Sequence, residues 1–247
     1  MNKIFLLLIL TALASSFSLD KTRVYIIGDS TAADKKANVF PETGWGTPFK
    51  QFFNADVEVI NLAINGRSTK SFRKPNDSLG HTSWPQVLND LRAGDYVLIQ
   101  FGHNDQKVDR PTVGTSLQEY EQNLIQYVKE VRAKKANPIL LTSIVRRQFE
   151  DDQLVDTHGQ YPDRVRSVAR TLGVPMIDME KKTRKLLMEY GEESSKNLFL
   201  HVPHHHPNYP NGNIDDTHLN ERGALVIAQL VVEGIKEQSL TLAQKMK

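Results

Sequence analysis

The chain has 247 residues, of which 24% are charged and 8% aromatic, with a net charge of +2 and no cysteine. That balance, with no Lys/Arg block interleaved with aromatics, gives no support to nucleic-acid binding or to docking on an anionic membrane surface. Without cysteine there is no disulfide framework and no thiol to carry a lipid, so the fold must rest on its core alone.

The first 18 residues read as an export signal. Lys3 supplies the positive start, residues 4–13 are apolar except for Thr11, and the small residues Ala12, Ala14, Ser15, Ser16 and Ser18 follow. This run is shorter than the roughly 20 apolar residues needed to cross a bilayer and fits a cleaved signal peptide. The expected mature protein is one domain over residues 19–247, periplasmic or secreted.

Downstream, strand-like and helix-like runs alternate. Residues 23–28 (RVYIIG), 57–62, 96–101 (YVLIQF), 138–143 (PILLTS) and 174–177 are short apolar runs rich in β-branched side chains. Between and after them, residues 117–135, 162–172, 181–189 and 221–238 predict helices. The first of these carries Leu117, Tyr120, Leu124, Tyr127, Val128 and Val131 near helical spacing, and the last has Asn220 as its N-cap. Such alternation predicts an α/β fold whose mostly parallel five-stranded sheet is covered on both faces, with a site at the carboxyl ends of the strands. Two long loops are expected, residues 65–84 and 195–214, and both adjoin the motifs below.

Four motifs carry chemistry: Gly28-Asp29-Ser30-Thr31, Asn65-Gly66-Arg67, Gly102-His103-Asn104-Asp105 and Asp215-Asp216-Thr217-His218. A serine just after a strand exposes its hydroxyl and offers its own N–H to an oxyanion, although Gly-Asp-Ser alone also fits an ordinary helix cap. The Gly-x-Ser-x-Gly nucleophile elbow is absent, because Ala32 stands where its second glycine would be. The i,i+3 spacing of Asp215 and His218 predicts a helical turn with the carboxylate against the imidazole, leaving Asp216 as a cap or surface residue. Gly66 allows close backbone approach, and Asn104 is a neutral donor that deprotonation cannot remove. Taken singly, Asn65-Gly66 reads better as a plain turn, and the Gly102–Asp105 and Asp215–His218 segments read equally well as a loop and a solvated turn.

Taken together, the four motifs resemble the blocks of the SGNH (GDSL-type) hydrolases. The longer stretches Gln100-Phe101-Gly102-His103-Asn104-Asp105-Gln106-Lys107 and Asp156-Thr157-His158-Gly159-x-Tyr161-Pro162 are similar to the rhamnogalacturonan acetylesterases. The resemblance implies a flavodoxin-like three-layer α/β/α sandwich and removal of acetyl groups from a pectic polysaccharide. It implies Ser30 as nucleophile, Asp215 and His218 as acid and base, and Ser30, Gly66 and Asn104 as oxyanion donors. An acetylated polysaccharide or oligosaccharide is the expected partner, without nucleic acid or membrane, and the expected working unit is a monomer.

Arg67 is a candidate for a uronate carboxylate, and His103 and His158 for the cleft lining. Trp45 and Trp84 fit either sugar stacking or the core. His204, His205 and His206 are consecutive and lack a Glu-x-x-His partner, so no metal is expected. No phosphate-binding glycine motif is present and no cofactor is expected. The neutral ring of His218 is the form that can take the Ser30 proton. Two other readings stay open: an acetylxylan esterase, lipase or thioesterase with the same machinery, and a carbohydrate-binding protein without catalysis.

Overall fold

The computed structural model describes residues 21–74 and 83–247; the expected signal peptide lies outside them. Strands β1 (Thr22–Gly28), β2 (Val57–Asn61), β3 (Tyr96–Gln100), β4 (Asn137–Leu141) and β7 (Met176–Ile177) form a parallel sheet in the order β2-β1-β3-β4-β7. The short β5 (Phe149–Glu150) pairs antiparallel with β6 (Gln153–Leu154), as does β8 (Phe199–His206) with β9 (Tyr209–Leu219).

Alternation along the strands sorts the core into two layers. Val24 and Ile26 of β1 and Leu98 of β3 face one side, where Phe49 of α1 (Gly46–Phe49), Leu187 of α5 (Met179–Ser195) and Val231 of α6 (Glu221–Glu237) cover them. Tyr25, Ile27, Val97 and Ile99 face the other. There Trp84 of α2 (Trp84–Asp90), Leu124 of α3 (Leu117–Ala133) and Val165 of α4 (Tyr161–Leu172) pack on them. The result is the expected three-layer α/β/α sandwich.

The chain leaves β1 toward β2 on one side and returns to β3 on the other, so the strand order reverses at β1 and β3. The loops after those strands diverge and leave a crevice at their carboxyl ends. The Ser30 and Asn104 segments follow β1 and β3.

Two features depart from the sequence-based expectation. Residues 195–214 are no loop: most of them form the β8–β9 hairpin, closed by the two-residue turn Pro207-Asn208. Helix α5 runs past residue 189, but its backbone leaves helical geometry at Gly191 (φ 73°), a conformation that costs glycine little.

Candidate active site

Ser30 lies in the turn that leaves β1. Asp29 shapes that turn: its Oδ1 accepts from Thr31 N–H (3.0 Å) and Thr31 O–H (2.8 Å), and its carbonyl accepts from Ala32 and Ala33 N–H (3.2 and 3.1 Å). Asp29 is fully buried. Burial alone would raise its carboxyl, but the His103 ring beside it and the Thr31 donors outweigh that and hold it at about 2.

From the hairpin, His218 reaches back to Ser30. Its Nε2 is 2.9 Å from Ser30 Oγ, and its Nδ1 is 2.7 Å from Asp215 Oδ2. A carboxylate only accepts, so Nδ1 carries the ring proton and Nε2 accepts from the Ser30 hydroxyl. Asp215 is half-buried. Burial pushes its carboxyl up, but the ring N–H of His218 and the backbone N–H groups of His218 and Thr217 bring it down to about 2. The arrangement can therefore take a proton from Ser30 while Asp215 stays ionised.

The Asp215–His218 segment is not the expected helical turn. Leu219 pairs with Phe199 and Asp215 with Leu200, so β9 advances four residues where β8 advances one. The residues between bulge out of the ladder. Asp215 Oδ1 closes the bulge by accepting from Thr217 N–H (2.8 Å) and His218 N–H (2.9 Å), while Oδ2 holds the ring. An i,i+3 spacing suits this side-chain turn as well as a helical one, which is why spacing alone pointed to the wrong backbone. Asp216 is no cap: it accepts from Arg147 Nη1 (2.7 Å) and lies 2.8 Å from His201 Nε2.

The second and third motifs stand beside Ser30. Ile64 N–H donates to Gly28 O (3.1 Å), and Arg67 N–H to Ile64 O (3.3 Å), which closes a turn with Gly66 in its third position at φ +75°. That is the positive-φ place of a turn where glycine is favoured. Asn104 ties the β3 loop to this turn, its Nδ2 donating to Arg67 O at 3.0 Å, while its Oδ1 accepts from Lys107 Nζ at 2.7 Å. Ser30, Gly66 and Asn104 are thus brought to one end of three neighbouring strands, and Arg67 enters through its backbone carbonyl.

His103 and His158 do not line the cleft. Each is only 3% exposed, and their rings meet edge to face at 4.6 Å. His158 is occupied by Gln106 Oε1 and Ile144 O, each 2.8 Å from a ring nitrogen. His103 Nδ1 lies 3.4 Å from Asp29 Oδ2. Both rings are buried, so neither presents a surface to a cleft. Trp45 and Trp84 are likewise buried, their indole N–H groups donating to Gln100 Oε1 (2.7 Å) and Glu130 Oε2 (2.5 Å). His204, His205 and His206 lie on β8, and among the described residues no group of three or more His, Cys, Asp or Glu is placed to hold a metal ion. No helix among those residues is long and apolar enough to cross a membrane.

Sequence reasoning passed over several supporting residues. Asp105, fully buried after β3, accepts from Thr69 N–H through both oxygens (3.1 Å each), from the Thr69 hydroxyl and from Thr115 O–H (3.2 Å), locking the Gly66 loop to the Asn104 loop. A carboxylate at the end of an apolar strand was the available signal, since a buried charge needs several donors. Arg147, Gln100 and Lys107 gave no comparable signal.

A serine, a histidine and an aspartate joined in that order at the carboxyl end of a doubly wound parallel sheet define a serine hydrolase of the α/β/α type. The match of residues 26–226 to the model of the GDSL-like lipase/acylhydrolase family agrees, and the chain belongs to that family. It is an ester hydrolase. It is 40% identical over 222 residues to the rhamnogalacturonan acetylesterase RhgT of Bacillus subtilis, covering 89% of this chain and 92% of the relative. Its fold is similar to that of protein YxiM of Bacillus subtilis (TM-score 0.73, 22% identity, 90% of this chain and 58% of the other). It also matches a mutant of Axe2, an acetyl-xylooligosaccharide esterase from Geobacillus (TM-score 0.62, 21% identity, 88% and 96%).

Proposed function

We propose that the protein is an exported carbohydrate esterase that removes acetyl groups from a pectic polysaccharide of the rhamnogalacturonan type. The observation that carries this reading is the unbroken hydrogen-bonded line Ser30–His218–Asp215 in a chain 40% identical to a rhamnogalacturonan acetylesterase. His218 Nε2 takes the Ser30 proton as Oγ bonds to the acetyl carbon. The carbonyl oxygen becomes an oxyanion among the Ser30 and Gly66 N–H groups and the Asn104 amide. Each such donor typically lowers the barrier by about 3 kcal/mol. The C–O bond to the sugar breaks, the sugar oxygen leaves with the proton held by His218, and an acetyl group remains on Ser30. Water then gives its proton to His218 and adds to that acetyl, which leaves as acetate and restores Ser30.

The His218 side of the site favours sugars over a lipid tail. One cavity of about 630 Å³ reaches Asn65, next to Gly66, where Asp34, Lys36 and Asn38 share the lining with Ala33, Val39, Ala63 and Ile64. A second of about 310 Å³ reaches Thr217, next to His218, and is lined by Arg146, Arg147 and Gln148. The mainly polar and charged walls beside His218 suit a sugar better than an acyl tail, which would need a continuous apolar groove, while the cavity beside Gly66 has a mixed lining.

The test is acetate release from acetylated rhamnogalacturonan beside acetylated xylan, for wild type and Ser30→Ala. Release from the pectic polymer alone, abolished in Ser30→Ala, is the expected result. Preferential release from xylan would withdraw the substrate assignment. Export is tested separately: a mature chain beginning at Met1 in the producing cell would overturn it.

A further inference from the structure

We propose that Lys107 is a positioning residue for the reaction, its ammonium fixing and polarising the Asn104 amide that meets the oxyanion. This rests on the reading of Asn104 as an oxyanion donor.

The argument begins with the two partners of that amide. Lys107 Nζ lies 2.7 Å from Asn104 Oδ1, and Arg67 O lies 3.0 Å from Asn104 Nδ2. An ammonium can only donate and a carbonyl can only accept. Held between them, the amide has one permitted orientation; a half-turn would set two donors and two acceptors face to face. One N–H of the amide is spent on Arg67. The other is left for a substrate oxygen, and a cation on the far oxygen of the same amide draws electron density from it.

Local backbone puts Lys107 there. Gln106 N–H donates to Gly102 O (3.2 Å) and Lys107 N–H to Asn104 O (3.2 Å), so the chain turns immediately after β3 and returns the i+3 side chain over Asn104. The charged groups that face Lys107 are the cations Arg110 and Arg146 and the carboxylates Asp29 and Asp109. Partial burial and the two cations pull the ammonium below its ordinary range, and the carboxylates oppose them. The lock therefore opens on the alkaline side, when the amine loses the proton that supplies its charge.

The experiment measures kcat and KM for acetate release from pH 6 to 10.5 in wild type, Lys107→Met, Lys107→Arg, Asn104→Ala and the Lys107→Met/Asn104→Ala double variant, each checked for native circular dichroism. Lys107→Met is expected to lower kcat about tenfold to a hundredfold with KM nearly unchanged, less than the roughly 10²–10³ of losing a donor outright. Wild type should lose kcat at alkaline pH, while Lys107→Met, already slow, and Lys107→Arg, charged throughout, should not. On the Asn104→Ala background, Lys107→Met should cost nothing further. Wild-type kcat in Lys107→Met, a loss confined to KM, or additive losses in the double variant would each overturn the inference while leaving the esterase reading intact. Wild-type kcat in Asn104→Ala would overturn the donor assignment beneath it.

Discussion

The Ser30 turn and the His218 bulge meet at one hydrogen bond, yet they are held by different means. Ser30 follows a strand in the middle of the parallel sheet, and the side chains that shape its turn, Asp29, Thr31 and Gln100, are buried in the body of the protein. Asp215 and His218 sit on a two-stranded ladder outside that sheet, with side chains 27% and 28% exposed. That ladder is moored by polar contacts at its edges. Asn208 Nδ2 and Tyr209 OH donate to carbonyls of residues 37–40, Thr43 N–H donates to Leu219 O, and Arg147 grips Asp216. Ser30 is set by core packing, whereas His218 stands on a hairpin that reaches the core at Phe199, Leu200, Val202 and Leu219 and is otherwise held by hydrogen bonds. Substitutions near the two should fail differently.

The largest effects come from the reacting groups. Ser30→Ala should lower kcat by about 10⁵–10⁶ with the fold intact, because nothing else accepts the acetyl group. Asp215→Asn should lower it by about 10³–10⁴. The asparagine oxygen can still accept from Thr217 and His218 N–H, but its NH₂ then faces His218 Nδ1. The ring must carry its proton on Nε2, where it no longer accepts from Ser30. Rates for both variants, beside their melting temperatures, check this; a much lower melting temperature in Asp215→Asn would mean that the carboxylate builds the bulge rather than setting the tautomer.

Next in size is a contrast among buried carboxylates. Asp29 faces an imidazole and is held at about 2, whereas Asp105 faces only Thr69 and Thr115 and burial pushes it to about 7 despite their hydrogen bonds. The signs are opposite. Asp105, raised in the fold, contributes its full stability below the ordinary value of 3.8 and loses it as pH rises through about 7. Asp29, depressed, contributes above 3.8 and loses that as pH falls toward 2. Asp105→Asn mimics the protonated acid. Its stability relative to wild type should improve between pH 4 and pH 8, by on the order of 4 kcal/mol at most. Urea unfolding of both proteins at the two pH values measures this, and a difference that stays constant would show Asp105 ionised throughout.

The same division decides what could be read from the sequence. The inner strands β1, β3 and β4 are buried on both faces and appear as continuous apolar runs such as YVLIQ, and α3 and α6 show a plain helical period. The Ser30, Gly66 and Asn104 segments were legible because each follows a strand of the sheet, and Asp215–His218 because it precedes α6. The β8–β9 hairpin was not. Its sequence HVPHHHPNYPNGNIDDT carries no alternation, because much of both strands faces solvent, and its prolines argue against a strand. The Asn211-Gly212 pair, a strong turn signal, lies inside β9 rather than at its tip. His103 and His158 were misplaced for a related reason: a sequence shows that histidines flank a motif, but not whether they lie above or below the strand ends.

The smallest effect is the sharpest test of the comparison, because the protein holds two similar ion pairs at opposite ends of its sheet. At the amino-terminal end, Arg23 of β1 pairs with Asp95, just before β3, at 2.5 Å. Near the site, Arg147 donates to Asp216 (2.7 Å), Ser195 Oγ (3.1 Å) and Glu192 O (2.6 Å). Arg147 is 5% exposed, but Asp216 is 40% exposed and can take water if its partner is lost. Arg147→Met should therefore cost about 1–3 kcal/mol, at the low end for a broken buried pair. Arg23→Met should cost more, about 3–5 kcal/mol, because Asp95 is only 6% exposed and would be left buried without its cation. Their effects on rate should part. His218 is two residues from Asp216 in a half-exposed bulge whose core anchor is the neighbouring Leu219, so Arg147→Met should also lower kcat, by about tenfold for a small misplacement of the base. Arg23 lies a full strand away from Ser30, and its loss should leave kcat unchanged. Equal falls in kcat would mean that the site senses stability in general; unchanged kcat in both would mean that the hairpin holds His218 without Arg147.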